Sequence, residues 1–466
     1  MIQNPILYPQ RSTDEPSAEQ IFNWARNAQL GSKQQLYTPK DEAALQALLK
    51  ESSGPIRIIG SRLSPGRMVS PQSEGILLDL KHFRGVLAMD ENSVRVAAGT
   101  PLQELFKTLQ QNGRMLKCSP GVIAVQTVGG ALATGTHGQG LQQSAITDEV
   151  LSFTLILANG EKRTFQRGET EFSAVMVNLG CLGIITEVTL ATVPENYFTC
   201  VKTAVSADSL ETDIIDWNHQ HLFSKAWWFV DDNLLHVWNI DPADASAQQR
   251  YQENAQQVVQ HSSDQDESLN ATIDQTLALM HADTQVHGHG GKQFRTVARF
   301  KDFTDVTGDI YQLLCRGIAV PQINVEIGVP LAQTPAIISH IKQWYAEQQP
   351  HMHYPIILRC TGASEAWLSP AYQQDTCYFG FVVYYADDGS LSQDGLHFLT
   401  EVEKILATYG GRPHWGKYYD PQHYDWPTLY PKWQDFSAVK QQLDPQQRFS
   451  NPYIQQLFPS SIGDHA

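Results

Sequence analysis

Between residues 36 and 195 the chain switches repeatedly between helical and strand periodicity. After Thr38-Pro39, the positions Leu45, Leu48 and Leu49 form one apolar stripe, which predicts a helix capped at Thr38-Pro39, running through Leu49 and stopped by Gly54-Pro55. Pro55 to Ile59 (PIRII) then reads as a short strand, and Ile76 to Leu80 as a second. Alternation at Val94, Val96 and Ala98 marks a third. Thr100-Pro101-Leu102-Gln103 has the capping-box form and opens a helix with Leu102, Leu105, Phe106 and Leu109 on one face, ended by Gly113. Val150 to Leu157 and Lys162 to Gln166 flank Asn159-Gly160, a strong hairpin signal, and Thr186 to Thr192 is a further strand. Up to Gly113 the chain reads as a small α/β unit.

Farther along, Ala226 to Val230 and Leu234 to Asn239 flank Asp231-Asp232-Asn233 and read as a second hairpin. Asn324 to Pro330 and Pro355 to Thr361 are apolar strand-like runs, each carrying one charge: Glu326 in the first, Arg359 in the second. A lone acid among Val and Ile is either an edge residue facing water or a buried functional group. Asp241 to Gln275 is polar and rich in Gln, Ala, Asp and Ser; it reads as either a solvated helix or a mobile connector, and the helix is the expectation.

With 466 residues the chain is long enough for two or three domains. Its net charge of −16 argues against a nucleic-acid partner, which needs clustered Lys and Arg. Met1 to Ser17 lacks the apolar core of a signal peptide, and no apolar run approaches a membrane span. The cysteines at 118, 181, 200, 315, 360 and 377 are scattered without a CxxC pair, so buried thiols in a reducing, cytoplasmic setting are expected.

Candidate chemistry concentrates in Cys118 to Gly140, CSPGVIAVQTVGGALATGTHGQG, where backbone amides are the main groups on offer. Glycines let a backbone approach a ligand closely, and successive amides in turns form anion-binding concavities. A second loop of this character lies at Ile58 to Arg67. Neither is a GxGxxG fingerprint after the first strand, and no GxxxxGK[ST] is present.

The order IRIIGSRLSPG, a helix, SPGVIAVQTVGGALATGTHGQG, LILANGE and GCLGIITEVTL resembles the FAD-binding domain of vanillyl-alcohol-oxidase-type flavoproteins. With HWGK at His414 to Lys417, YPKW at Tyr430 to Trp433 and DPQQRFSNP at Asp444 to Pro452, it resembles the sugar-lactone branch: gulonolactone, galactonolactone and arabinonolactone oxidoreductases, with alditol oxidase as a relative. The resemblance implies an α+β fold: a two-subdomain FAD-binding domain over residues 1–195, an antiparallel-sheet cap (substrate) domain over 196–405, and a C-terminal segment, 406–466, returning to the first.

It also implies roles. Ile59, Gly60, Ser61, Arg62, Leu63 and Ser64 would wrap the FAD pyrophosphate. Ser119, Pro120, Gly121, Thr127, Gly129, Gly130, Thr134, Gly135, Thr136, His137 and Gly138 would line its other side and the flavin edge, with Thr134, Thr136 and His137 as donors. Gly183 and Ile185 would approach the adenine or ribose. Many relatives carry in the first loop a histidine joined covalently to the flavin; here the aligned position is Leu63, so non-covalent FAD is expected. Gly121 stands where the plant dehydrogenases have an alanine that shields the flavin from dioxygen, which favours oxygen as acceptor, with another acceptor open.

The branch usually has Glu-x-Arg on one cap strand; this chain keeps Arg359 but has Ile357 in the acid's place, and Glu326 is the candidate to supply the missing carboxylate. Lys417 would sit near the flavin ring, stabilising its reduced anion and accepting the substrate's hydroxyl proton, with His414 binding flavin or substrate. The expected reaction is oxidation of a CH–OH group on a sugar lactone or polyol. The alternatives are a lipid-linked sugar oxidase of the decaprenylphosphoryl-ribose type, which an apolar patch beside the cap would support, and a catalytically weak flavin-binding protein, suggested by Ile357. His287 and His289, with His281 nearby, fit no common metal spacing, and no metal is expected.

Overall fold

The computed structural model describes residues 19–259 (apart from 67, 71–73 and 122), 285–287, 293–295, 306–315, 322–350, 354–385 and 393–459. Leu36–Tyr37, Ile76–Asp79 and Ile56–Ile59 form, in that order, a small parallel sheet. Ile56, Leu77 and Leu78 are buried, the near-continuous apolar pattern a covered parallel sheet requires. The helix before Ile56 spans Glu42–Glu51 and is capped by Asp41, whose carboxylate accepts from the Ala44 amide at 2.8 Å. The expected cap at Thr38-Pro39 is therefore corrected: Asp41 offers a carboxylate three residues before an orphan amide, and Pro39 does not.

The second sheet is antiparallel, in the order Lys162–Gln166, Val150–Ile156, Ile184–Ala191, Ser93–Ala97 and Val86–Met89. Gly160, at φ +83°, turns the expected Asn-Gly hairpin. Helix Leu102–Gln111 buries Leu102, Leu105, Phe106 and Leu109 as its stripe predicts, but its capping box does not form. Thr100 instead donates its hydroxyl to the Ala97 carbonyl at 2.6 Å and accepts the Gly85 amide, and Pro101 occupies the cap.

The large antiparallel sheet runs Val306–Asp309, Tyr197–Ser206, Leu234–Pro242, Phe223–Phe229, Ile356–Thr361, Thr376–Tyr384, Gln322–Pro330 and Arg412–Pro413. Its strands alternate cleanly. Val325, Ile327, Val329, Leu358, Cys360, Phe379, Ala226 and Trp228 are buried in one apolar core with residues of helices Leu210–Gln220, Thr334–Gln348 and Gln393–Thr408. The register puts Glu326, Gly380, Tyr378, Ile357, Arg359 and Trp227 on the opposite face, because directly paired residues share a side. The expected polar helix is present as Ala245–Val259; residues 260–275 lie outside the described residues.

The C-terminal segment joins both units. Arg412–Pro413 pairs with the edge strand at Gly328 and Ile327, while Trp433, Phe436, Leu443, Phe449 and Ile454 enter the core that holds Leu45, Ile56 and Leu78. Arg448 donates to the carbonyls of Leu49, Ala158 and Ser52 at 2.7–2.9 Å, fixing that return.

Candidate active site

The two Gly-rich loops line one cleft of about 1070 Å³, open solvent at its mouth included. Of the residues expected to hold the cofactor, Ile59, Gly60, Ser61, Arg62, Leu63, Ser64, Thr127, Gly129, Gly130, Thr134, Gly183 and Ile185 line it. Two of its glycines are forced by packing. A Cβ on Gly60 would overlap the Thr127 hydroxyl, and one on Gly129 would press on Ala98 at 3.1 Å. The amides of Ser61, Arg62, Leu63 and Ser64 bond to no other described residue, so the first loop presents a run of unpaired N–H groups. Such a run suits an anion, and the cleft fits the pyrophosphate of FAD.

Ser119, Pro120, Gly121, Gly135, Thr136, His137 and Gly138 do not line this cleft. Their segment runs on toward the large sheet, where Gly140 donates to the Cys360 carbonyl at 2.7 Å. Thr134, Thr136 and His137, the expected donors, each have a partner within their own segment. Thr134 donates to the Gly130 carbonyl, Thr136 to Gln126 Oε1, and His137 Nδ1 donates to the Gly138 carbonyl at 3.0 Å. The Ser119 hydroxyl is likewise occupied, by Gln139. The donors facing the cleft are the first loop's backbone amides, the groups its composition put on offer.

The cleft also takes in Arg57, Asp79, Gly99, Asn178, Leu179 and Gly180, none of which was singled out as a cofactor residue. Leu179 and Gly180 both adopt positive φ, +55° and +64°. Arg57 is fully buried and donates to the carbonyls of Met68, Leu179, Gly180 and Phe449 at 2.6–3.0 Å. The one available signal was Arg57 interrupting an otherwise apolar strand.

Three segments meet beside the cleft. His414 donates its amide to the Glu326 carbonyl, and Tyr418 to that of Asn324, so HWGK lies along the strand carrying Glu326. Trp415 anchors it, its Nε1 donating to the Leu368 carbonyl and its ring stacked on Trp426. Gly416 packs between the cleft and the sheet: a Cβ there would meet His414 Cε1 at 3.1 Å and Thr134 Oγ1 at 3.2 Å.

At this junction sits a charged cluster, buried except for the partly exposed Lys417. Arg359 Nη2 donates to Glu326 Oε1, Lys417 Nζ lies 3.9 Å from Glu326 Oε2, and His137 Nε2 lies 3.5 Å from Oε1. The His137 ring stacks on Tyr378 with centroids 3.5 Å apart. Burial alone would raise the Glu326 carboxyl; Arg359, His137 and Lys417 outweigh it and hold it well below the usual range. Burial and Arg359 push His137 down, leaving it neutral at neutral pH. Burial drives His414 down to about 3. Its Nδ1 accepts the Gly416 amide, so the proton sits on Nε2. Lys417 is lowered by burial, against Glu326 and with Arg359.

The ligand atoms of His137, Glu326 and His414 all lie within 4.8 Å of one another, a spacing that could suit a metal. Here the carboxylate already faces two cations, Arg359 and Lys417, and both Nδ1 atoms are used by the backbone. The arrangement is that of an ion-pair network. His281 and His289 lie outside the described residues, and His287 is described only as part of the strand Gln285–His287.

Residues 188–457 match the family model described as D-arabinono-1,4-lactone oxidase, and residues 34–166 match a FAD binding domain. The chain belongs to the D-arabinono-1,4-lactone oxidase family. It binds FAD, for which the cleft is built. This member of the D-arabinono-1,4-lactone oxidase family is 25% identical to L-gulonolactone oxidase of Mus musculus, over 94% of this chain and 98% of the relative. It is 25% identical to L-gulono-1,4-lactone dehydrogenase of Mycobacterium tuberculosis, over 93% and 98%. Cholesterol oxidase from Brevibacterium sterolicum shares the fold, with a TM-score of 0.71 at 14% identity, over 97% of this chain and 99% of that one. No helix among the described residues is long and apolar enough to cross a membrane.

Proposed function

We propose that the protein oxidises a CH–OH group of a sugar lactone or polyol, with Glu326, Arg359, Lys417 and His414 forming the substrate site. The observation that carries this reading is the buried Glu326–Arg359 pair with the partly exposed Lys417 beside it, at the junction with the FAD cleft. When bound, FAD supplies the hydride acceptor. Substrate hydroxyls can donate to Glu326 and accept from Arg359 and from His414 Nε2–H. Neutral Lys417 takes the hydroxyl proton at Nζ, and the ammonium so formed is stabilised by Glu326 Oε2.

Glu326 also removes the motive for reading the protein as a weak flavin binder, because a carboxylate meets Arg359 despite Ile357. A second substrate reading has some support. Ile357 pairs with Trp227, whose ring contacts Tyr354, so the sheet face beside Arg359 is apolar. That suits a reacting sugar joined to an apolar group. The acceptor is dioxygen in this reading, because Gly121 leaves no side chain over that path. FAD is held without a covalent bond. The six cysteines are free, which supports a reducing, cytoplasmic setting. The test is steady-state turnover of aldonolactones, alditols and a prenyl-phosphate sugar; preference for the last favours the second reading, and turnover of none overturns both.

A further inference from the structure

The first loop's unpaired amides need an explanation, because a flexible loop would turn either its amides or its carbonyls toward the cleft. A segment upstream of both family matches, which begin at residue 34, decides this. Gln20–Phe22 and Gln29–Ser32 pair as a short antiparallel hairpin, seated on Ile59 and Leu77 through the buried Ile21 and Leu30. Its turn is fixed by Asn23, whose Oδ1 accepts the amides of Asn27 and Ala28 at 3.1 and 3.2 Å, and by Arg26 at φ +57°.

From this turn three donors reach the first loop. The Trp24 amide donates to the Arg62 carbonyl at 2.8 Å, Asn23 Nδ2 to the Ser64 carbonyl at 3.0 Å, and Asn27 Nδ2 to the Pro65 carbonyl at 3.3 Å. Both asparagines are buried. Arg57 holds the Met68 carbonyl, just past the loop, at 3.0 Å. The carbonyls of residues 62, 64, 65 and 68 are thus all engaged from behind the loop. Arg62 itself is held at φ +58°, a left-handed conformation unfavourable for a residue with a Cβ.

We propose that the hairpin Gln20–Ser32 is part of the cofactor site: Trp24 holds the Arg62 carbonyl, whose peptide carries the Leu63 amide, and Asn23 and Asn27 pin the Ser64 and Pro65 carbonyls next to it, so that the loop is fixed in the one conformation that presents its amides to the diphosphate of FAD. These are positioning residues, since they act through the loop. Aligned amides ahead of the ligand spare it the cost of ordering the loop, and a hydrogen bond from the hairpin to the loop holds that order. The inference rests on the reading of the cleft as a FAD site.

The test compares three probes on the apoprotein by flavin fluorescence and competition: FAD, riboflavin, which lacks the phosphates, and ADP, which carries the diphosphate without a flavin. Asn27→Ala removes the donor to Pro65, and Asn23→Ala removes the donor to Ser64 together with the turn's acceptor; neither adds a charge beside the diphosphate. Both are expected to weaken FAD and ADP by about ten-fold, the equivalent of one hydrogen bond, while riboflavin binding is unchanged. Equal loss for FAD and riboflavin, or no loss for FAD and ADP, overturns the inference. Wild-type protein that binds neither FAD nor ADP overturns the reading of the cleft instead.

Discussion

Glu326 and Arg359 form a buried ion pair although their strands are not neighbours: the strand carrying Tyr378 and Gly380 lies between them. Glu326 is paired with Gly380, and Gly380 with Ile357, so the position between the acid and the isoleucine has no side chain. The glutamate reaches the guanidinium across that gap. A side chain at 380 would enter the same space, since a Cβ there would already stand 3.3 Å from Ile357 Cβ.

This pair gives a prediction with two readouts. Glu326→Gln keeps the shape and removes the charge, and is expected to slow flavin reduction about 10²-fold or more while the protein keeps its flavin. Arg359→Met leaves a buried carboxylate with Lys417 as its remaining cationic partner among the described residues and is expected to cost about 3–5 kcal/mol in chemical denaturation. The double variant Glu326→Gln/Arg359→Met should recover part of that loss. No recovery would place the pair outside the energetics argued here.

In the proposed mechanism Lys417 sets the pH dependence. If neutral Lys417 takes the proton, flavin reduction rises with pH through a limb whose midpoint lies below the ordinary lysine value of 10.5, because burial and Arg359 favour the neutral form against the pull of Glu326. Lys417→Met should abolish the limb and lower the rate about 10²–10⁴-fold, measured by stopped-flow reduction across pH. A limb that survives the substitution would assign the base elsewhere.

Much of the fold could be read because its periodicities are local: the stripe of Leu102, Leu105, Phe106 and Leu109, the Asn159-Gly160 hairpin, and the strands around Glu326 and Arg359. The first-loop residues were also legible, since Gly and Ser in that order leave little but backbone. What stayed hidden was non-local. Nothing in Asn23-Trp24-Ala25-Arg26-Asn27 shows that its donors meet carbonyls about 40 residues away. Nor does the sequence show that the hydroxyls of Thr134 and Thr136 bond within their own loop. The caps failed for a related reason: a capping box is a pattern of two side chains, and at Thr100 the Ala97 carbonyl and Gly85 amide are closer partners.

Gly121 tests the acceptor. A Cβ there would stand 2.9 Å from Thr136 Cγ2 and 3.2 Å from the His137 carbonyl, so Gly121→Ala must displace the Thr136 methyl. The variant should be reduced by substrate at close to the normal rate but reoxidised by dioxygen at least ten-fold more slowly, followed by the return of flavin absorbance. Unchanged reoxidation would mean that Gly121 does not border the oxygen path.

Leu63 lines the cleft and has no nucleophile with which to bond a flavin. Acid precipitation of the purified protein should therefore leave the yellow colour in the supernatant. Colour retained in the pellet would contradict non-covalent attachment.

The most direct test of the whole account is the visible spectrum of the FAD-loaded protein during anaerobic titration with L-gulono-1,4-lactone, D-arabinono-1,4-lactone or an alditol. The account predicts that at least one of them bleaches the oxidised-flavin band in the wild type and fails to do so at a comparable rate in Glu326→Gln. A flavin-bound wild type that none of them reduces, or a Glu326→Gln variant reduced as fast as wild type, would contradict it.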